Sequence, residues 1–133
     1  MACGPAGETS PPTPPPATPA APAPPPPATS PPASDAPAAQ REAGLIFSMR
    51  CATCHGALGA GDGPGSAGLE PKPRDFRDPA WQASVSDAHL QQIIVGGGPA
   101  VGKSALMPPN PDLVGKPEVV AALVVQIRSL RAP

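Results

Sequence analysis

The five residues Cys-Ala-Thr-Cys-His at positions 51–55 are the part of the sequence whose types and spacing most clearly carry chemistry. Two thiols separated by two residues can react with one group from a single helical turn. The histidine that directly follows the second thiol makes this the attachment pattern for c-type haem. Cys51 and Cys54 would add to the two vinyl groups, and His55 would lie under the iron as its proximal ligand.

Other readings of the cysteine pair need partners that the sequence does not supply. A structural zinc site uses four ligands, usually from a second Cys/His pair, whereas outside the motif only Cys3 and His89 remain. A thioredoxin-like dithiol needs a βαβ context, and no convincing strand alternation is present. One covalently attached haem c is therefore the predicted cofactor, with zinc binding and disulfide exchange as the alternatives.

A low-spin electron-transfer haem needs a second axial ligand, which is typically Met or His. Met107 lies 52 residues after His55, in a proline-stiffened loop that can cross to the far side of the haem. His89 lies within a predicted helix, where a solvated or hydrogen-bonded role is the alternative to ligation. Met49 is only two residues before Cys51, and we expect it to pack in the core. The predicted iron ligands are therefore His55 and Met107.

Three stretches with apolar residues at helical spacing provide the elements that must position these groups. The first begins near Gln40 and runs directly into the cysteine pair. The second is capped by Ser84 or Ser86 and ends at three consecutive glycines, and the third begins at Pro117. Their apolar positions are Leu45, Ile46, Met49 and Ala52; Leu90, Ile93 and Ile94; and Val120, Leu123, Val124, Ile127 and Leu130.

Two long loops rich in Gly and Pro separate these helices, and six glycines lie between residues 56 and 68. Such loops are unusual in a small helical bundle, and they are easier to explain if they wrap a ligand. The sequence therefore predicts an all-α fold with three main helices and long loops around one covalent haem.

The composition divides the chain near residue 40. Residues 1–40 hold 15 of the 25 prolines and contain no Leu, Ile, Val, Phe or Trp, which predicts a disordered Pro/Ala-rich tether. Residues 41–133 form the predicted folded domain. All nine Lys and Arg residues lie in this domain against eight of the ten acidic residues, so its net charge near +1 does not favour nucleic acid binding.

Residues 41–133 resemble a class I (cytochrome c-like) monohaem c-type cytochrome of bacterial type. The resemblance rests on landmarks that occur in the family's order. They are Phe47, the haem motif followed by Gly56, Gly61-Asp62-Gly63-Pro64, Pro71-Lys72-Pro73-Arg74-Asp75-Phe76, Leu106-Met107-Pro108-Pro109 and Ile127-Arg128-Ser129-Leu130.

The resemblance implies a cytochrome c-like fold whose first and last helices cross near Phe47. It implies a one-electron carrier with His/Met ligation rather than an enzyme. It also implies that Pro64 borders the His55 side of the haem, and that Arg74 and Trp81 hydrogen-bond or neutralise the haem propionates. A gas-sensing or weakly peroxidatic haem module remains the alternative if Met107 does not bind iron.

Haem attachment of this kind predicts an extracytoplasmic protein, in the periplasm or anchored to a membrane facing it. The longest strongly apolar stretch, residues 119–125, is too short to span a bilayer. Ala2-Cys3 suits the end of a lipoprotein processing site, so lipidated Cys3 is the hypothesis for membrane tethering. The predicted partners are redox proteins that donate and accept electrons, and the domain is predicted to be monomeric.

Overall fold

A computed structural model describes residues 36–133, and within this range all the regular elements are helical. Cys3 and most of the predicted tether lie outside the described residues. The α-helices are α1 (Ala36–Ile46), α2 (Ala52–His55), α3 (Pro79–Ser84), α4 (Asp87–Gly96) and α5 (Pro117–Ser129). A π-helical segment covers Phe47–Cys51, and 3₁₀ turns cover Pro64–Ser66, Gly98–Val101 and Pro111–Leu113. The predicted all-α fold is confirmed.

The first helix buries a face that only partly overlaps the predicted one, because Ile46 and Ala52 pack against the core but Leu45 and Met49 do not. The buried residues of α1 are Ala39 and Ala43, and Phe47 continues this face one turn later with only 3% of its surface exposed. Leu45 and Met49 are 63% and 76% exposed, so the expectation that Met49 packs in the core is wrong. The small alanines let the backbone of α1 lie close to helix α5.

The last helix packs against α1, as the resemblance implied. Pro117 occupies its first turn, where its missing N–H costs no hydrogen bond. Four of the five predicted apolar positions are buried, and Leu130 packs against the core at its edge. The buried residues of α5 are Val119, Val120, Leu123, Val124 and Ile127.

Side-chain caps decide where α3 and α4 begin. The hydroxyl of Ser86 accepts a hydrogen bond from the backbone N–H of His89 at 3.2 Å, so Ser86 is the cap of α4. Ser84 instead donates to the carbonyl of Trp81. The carboxylate of Asp78 accepts from two backbone N–H groups at 2.9 and 3.1 Å and so starts α3, a short helix that the apolar pattern did not predict.

Gln82 is a buried polar residue that connects Phe76 to helix α5. Its side-chain amide donates to the carbonyls of Phe76 at 2.7 Å and Ile127 at 2.9 Å. Arg128 donates to the side-chain oxygen of Gln82 at 2.9 Å and to the carbonyl of Val85 at 2.6 Å. Because buried polar groups are costly unless satisfied, this network fixes Phe76 relative to α5.

Candidate functional site

The two cysteines lie on one continuous helical run. Cys51 ends the π-helical segment, and Cys54 lies in the following helix α2. The N–H of Ala52 donates to the carbonyl of Phe47, five residues earlier, which is the wide turn typical of π-helices and frequent at functional sites. Both thiols are free and half-buried, so both are available to one group bound beside this turn.

His55 is oriented by the main chain of a distant segment. Its ring nitrogen Nδ1 lies 3.0 Å from the carbonyl oxygen of Arg74. A carbonyl can only accept, so the proton is on Nδ1 and the neutral ring leaves the lone pair of Nε2 free. Burial lowers the pKa of His55 below its ordinary 6.5, although the bond to Arg74 opposes this. The imidazole is therefore suited to bind a metal ion at neutral pH.

A stack of aromatic rings packs against one face of the His55 imidazole. The rings of His55 and Phe76 lie 4.3 Å apart between centroids and 15° from parallel, and Trp81 stacks on Phe76 at 5.7 Å. The guanidinium carbon of Arg74 lies 5.2 Å from the centroid of the Trp81 ring, and the same guanidinium pairs with Asp78. Phe76 thus lies between His55 and Trp81, and Arg74 contacts Trp81 with its guanidinium and His55 with its carbonyl.

The glycine-rich segment after His55 folds back over residues 50–55, here called the attachment turn. The N–H groups of Gly61 and Gly63 donate to the carbonyls of His55 and Cys54 at 2.8 and 3.1 Å. A β-carbon at Gly63 would collide with the carbonyl oxygens of Ala52 and Thr53, so the close approach requires glycine. Pro64 follows directly and lines a shallow pocket together with Ala52 and Thr53 of this turn.

The segment of residues 104–112, here called the Met107 segment, is hydrogen-bonded to the end of α4 through Met107. The carbonyl of Met107 accepts from the N–H of Gly98 at 3.0 Å. Gly97 has φ +72°, and a β-carbon there would lie 2.7 Å from the Met107 carbonyl oxygen. The glycines predicted to end α4 are therefore also the surface on which the Met107 segment rests.

One side chain joins the attachment turn to the Met107 segment, and the sequence patterns did not reveal it. The guanidinium of Arg50, the residue before Cys51, donates to the side chains of Asn110 and Asp112 at 3.0–3.2 Å. In the sequence, the only indication of this role was the position of Arg50 directly before the motif. That indication is weak, because exposure to solvent explains a charged residue there equally well.

The predicted site residues thus fall into two groups. Six of them lie on or around the attachment turn: Cys51, Cys54, His55, Pro64, Arg74 and Trp81. Met107 is on a separate segment, and its approach to the iron remains a prediction. His89 lies in the first turn of α4. Within residues 36–133, no group of three or more His, Cys, Asp or Glu side chains could hold a metal ion.

The donor set fits a covalently bound haem. Two free thiols one turn apart match the two vinyl groups, and a neutral imidazole with a free Nε2 follows them directly. Burial raises the pKa of the Cys51 thiol above its ordinary 9.0, with Arg50 opposing, which disfavours the thiolate that disulfide exchange uses.

Comparisons with known proteins agree with this site. Residues 40–131 match the model of the family described as Cytochrome c. The solved structure of the c-type cytochrome KustC0563 is 31% identical, with a TM-score of 0.52, and the match covers 67% of this chain and 96% of that one. Among curated proteins, none matches significantly. With its cysteine pair for covalent haem c, the chain belongs to the cytochrome c family of electron-transfer proteins.

Proposed function

We propose that the protein is a one-electron carrier whose haem iron is held between His55 and Met107. The observation that carries this proposal is the hydrogen bond between Nδ1 of His55 and the Arg74 carbonyl at 3.0 Å. That bond orients the ring and directs Nε2 away from the Arg74 carbonyl, as an outer hydrogen bond does for metal-binding histidines. When bound, the haem supplies an iron that alternates between the ferrous and ferric states.

Met107 is the side chain best suited to the second axial position. Its segment is fastened to α4 through Gly98, and Pro108 and Pro109 restrict the backbone that follows. Restricting the free chain in this way reduces the entropy lost when the thioether sulfur is held in one place. A methionine ligand also raises the reduction potential relative to a second histidine, which suits a carrier between redox proteins.

Arg74 and Trp81 complete the proposed site as partners of the haem propionates. The two side chains are held together by the contact of the guanidinium with the indole ring. Asp78 already pairs with Arg74, so only part of the arginine charge is available to a propionate. We therefore expect R74Q and W81F to change the reduction potential modestly, without removing the haem.

The test of the axial ligand compares two methionine variants in the full holoprotein. M107A should lose the sulfur-to-iron charge-transfer absorption of the ferric protein and bind carbon monoxide rapidly when ferrous. M49A is the matched control, because Met49 is 76% exposed, and it should behave like wild type. Rapid carbon monoxide binding by the wild-type ferrous protein would instead support a sensor or peroxidase with an open sixth position.

We also propose that the domain works outside the cytoplasm on a tether anchored through lipidated Cys3. Bacterial c-type cytochromes are generally extracytoplasmic, and none of the described helices is long and apolar enough to cross a membrane. Cys3 is separate from the attachment pair and precedes a Pro/Ala-rich segment. Mass spectrometry should find a lipid on Cys3, and C3S should release the protein from membranes. An unmodified Cys3 in natively expressed protein would contradict the anchor.

A further inference from the structure

We propose that Arg50 is a positioning residue that holds the Met107 segment closed over the haem. The contacts of Arg50 with Asn110 and Asp112 are here called the Arg50 bridge. The proposal rests on the ligation of iron by His55 and Met107 proposed above. Arg50 is not an iron ligand, but its contacts would make it harder for another ligand to displace Met107 from the iron.

The bridge is formed by one nitrogen of Arg50. Its Nη1 lies 3.0 and 3.1 Å from the two carboxylate oxygens of Asp112 and 3.2 Å from the side-chain oxygen of Asn110. The Asp112 carboxylate and the guanidinium are about half exposed, at 50% and 48%. An exposed ion pair makes a small contribution that salt weakens, so the bridge is suited to modulate ligand release rather than to hold the fold together.

Asn110 connects this bridge to the helix on which the Met107 segment rests. Its backbone N–H donates to the carbonyl of Val95 at 2.9 Å, and its side-chain amide donates to the carbonyl of Ile94 at 2.7 Å. Three residues earlier, the carbonyl of Met107 accepts from Gly98. The same asparagine therefore binds the end of α4 with its donors and Arg50 with its acceptor.

Within the described part of the chain, Arg50 makes every hydrogen bond that joins residues 47–56 to residues 98–113. The first range carries the haem attachment and the second carries Met107. The coordinate bond to iron and the Arg50 bridge thus act in parallel between the same two segments. Loss of the bridge should lower the effective concentration of the sulfur at the iron, which makes replacement by an external ligand easier.

The test measures the affinity of imidazole for the ferric holoprotein in the full chain. R50Q and D112N should each bind imidazole about two- to fivefold more tightly than wild type, the range expected for an exposed ion pair. Without imidazole, R50Q should keep the sulfur-to-iron absorption, because Met107 itself is unchanged. High salt should raise the affinity of wild type but not that of R50Q.

Two further variants separate positioning from general destabilisation. R50K should stay near wild type, because all contacts of the bridge use a single nitrogen that an ammonium can replace. E42Q removes the ion pair between Glu42 and Lys116, whose exposure of 42% and 45% is similar, and it should leave imidazole affinity unchanged. An effect of E42Q equal to that of R50Q would overturn the proposal.

The outcome with M107A distinguishes the two proposals. If M107A leaves imidazole binding and the ferric spectrum unchanged, the proposed His55/Met107 ligation fails. If M107A opens the site while R50Q and D112N bind imidazole as wild type does, the ligation stands and the role of Arg50 is refuted.

Discussion

Gly97 illustrates how much a single residue contributes to the candidate site. It ends α4 with φ +72°, and a β-carbon would lie 2.7 Å from both the Met107 carbonyl oxygen and the nitrogen of Pro109. A side chain here would therefore strain the backbone and push against the segment that carries the proposed ligand. Glycine is needed at this position for both its conformation and its small size.

We predict that G97A weakens both the fold and the sixth ligand. The backbone of Gly97 (φ +72°, ψ −176°) lies in a region that is essentially restricted to glycine, so an alanine there should cost about 1–3 kcal/mol, and the contact with Met107 adds to this. G102A is the control for a positive φ without a steric clash, because Gly102 is left-handed (φ +68°, ψ 28°) and has open space around its β-carbon position. Denaturant unfolding and ferric imidazole binding should show a loss of stability in both variants but tighter imidazole binding only in G97A.

Single residues also show where sequence patterns are weak. The motif at residues 51–55 predicted the chemistry correctly because the residues that carry it are neighbours in the chain. The exposure of Met49 was not predicted, because apolar spacing alone does not say which side of a helix faces the core. The role of Arg50 depends on a partner 60 residues away, which no local pattern contains.

At the scale of elements, α5 is the helix around which the core is organised. Leu123 is 1% exposed and packs within the main apolar cluster, whereas Val125 on the same helix is 63% exposed. We predict that L123A lowers the free energy of unfolding by about 2–5 kcal/mol through lost contacts and a cavity. V125A should change it by less than about 1 kcal/mol. Equal effects in chemical unfolding would contradict the observed orientation of α5.

The ion pair between Arg50 and Asp112, in the 3₁₀ turn at Pro111–Leu113, predicts that the stability of the fold depends on pH. The Arg50 guanidinium holds the pKa of Asp112 below its ordinary 3.8, and Lys116 acts in the same direction. A lowered pKa in the folded state means that the stabilisation is complete above 3.8 and is lost as the pH falls through the folded value. The stability difference between wild type and D112N should therefore be constant near neutrality and shrink in acid. A difference that stays constant as the pH falls well below 3.8 would contradict this.

At the scale of the whole molecule, the position of the domain boundary can be tested directly. The composition places it at residue 40, whereas α1 begins at Ala36 and buries Ala39 to 6% exposure. We predict that removing residues 1–35 leaves the unfolding temperature of the holoprotein unchanged. Removing residues 1–40 should cost about 1–3 kcal/mol, because it deletes a packed turn of helix. Equal melting of the two shortened chains would support the boundary at residue 40.

The sequence by itself determined the cofactor chemistry and the all-α class, because both depend on residues that are close together in the chain. Five consecutive residues specify the haem attachment, and the apolar spacing in α4 and α5 specifies helices. Only the tertiary structure decided that α1 packs through alanines, that the Arg74 carbonyl orients His55, and that Arg50 reaches Asn110. These features depend on contacts between distant parts of the chain, which form only when the helices pack together.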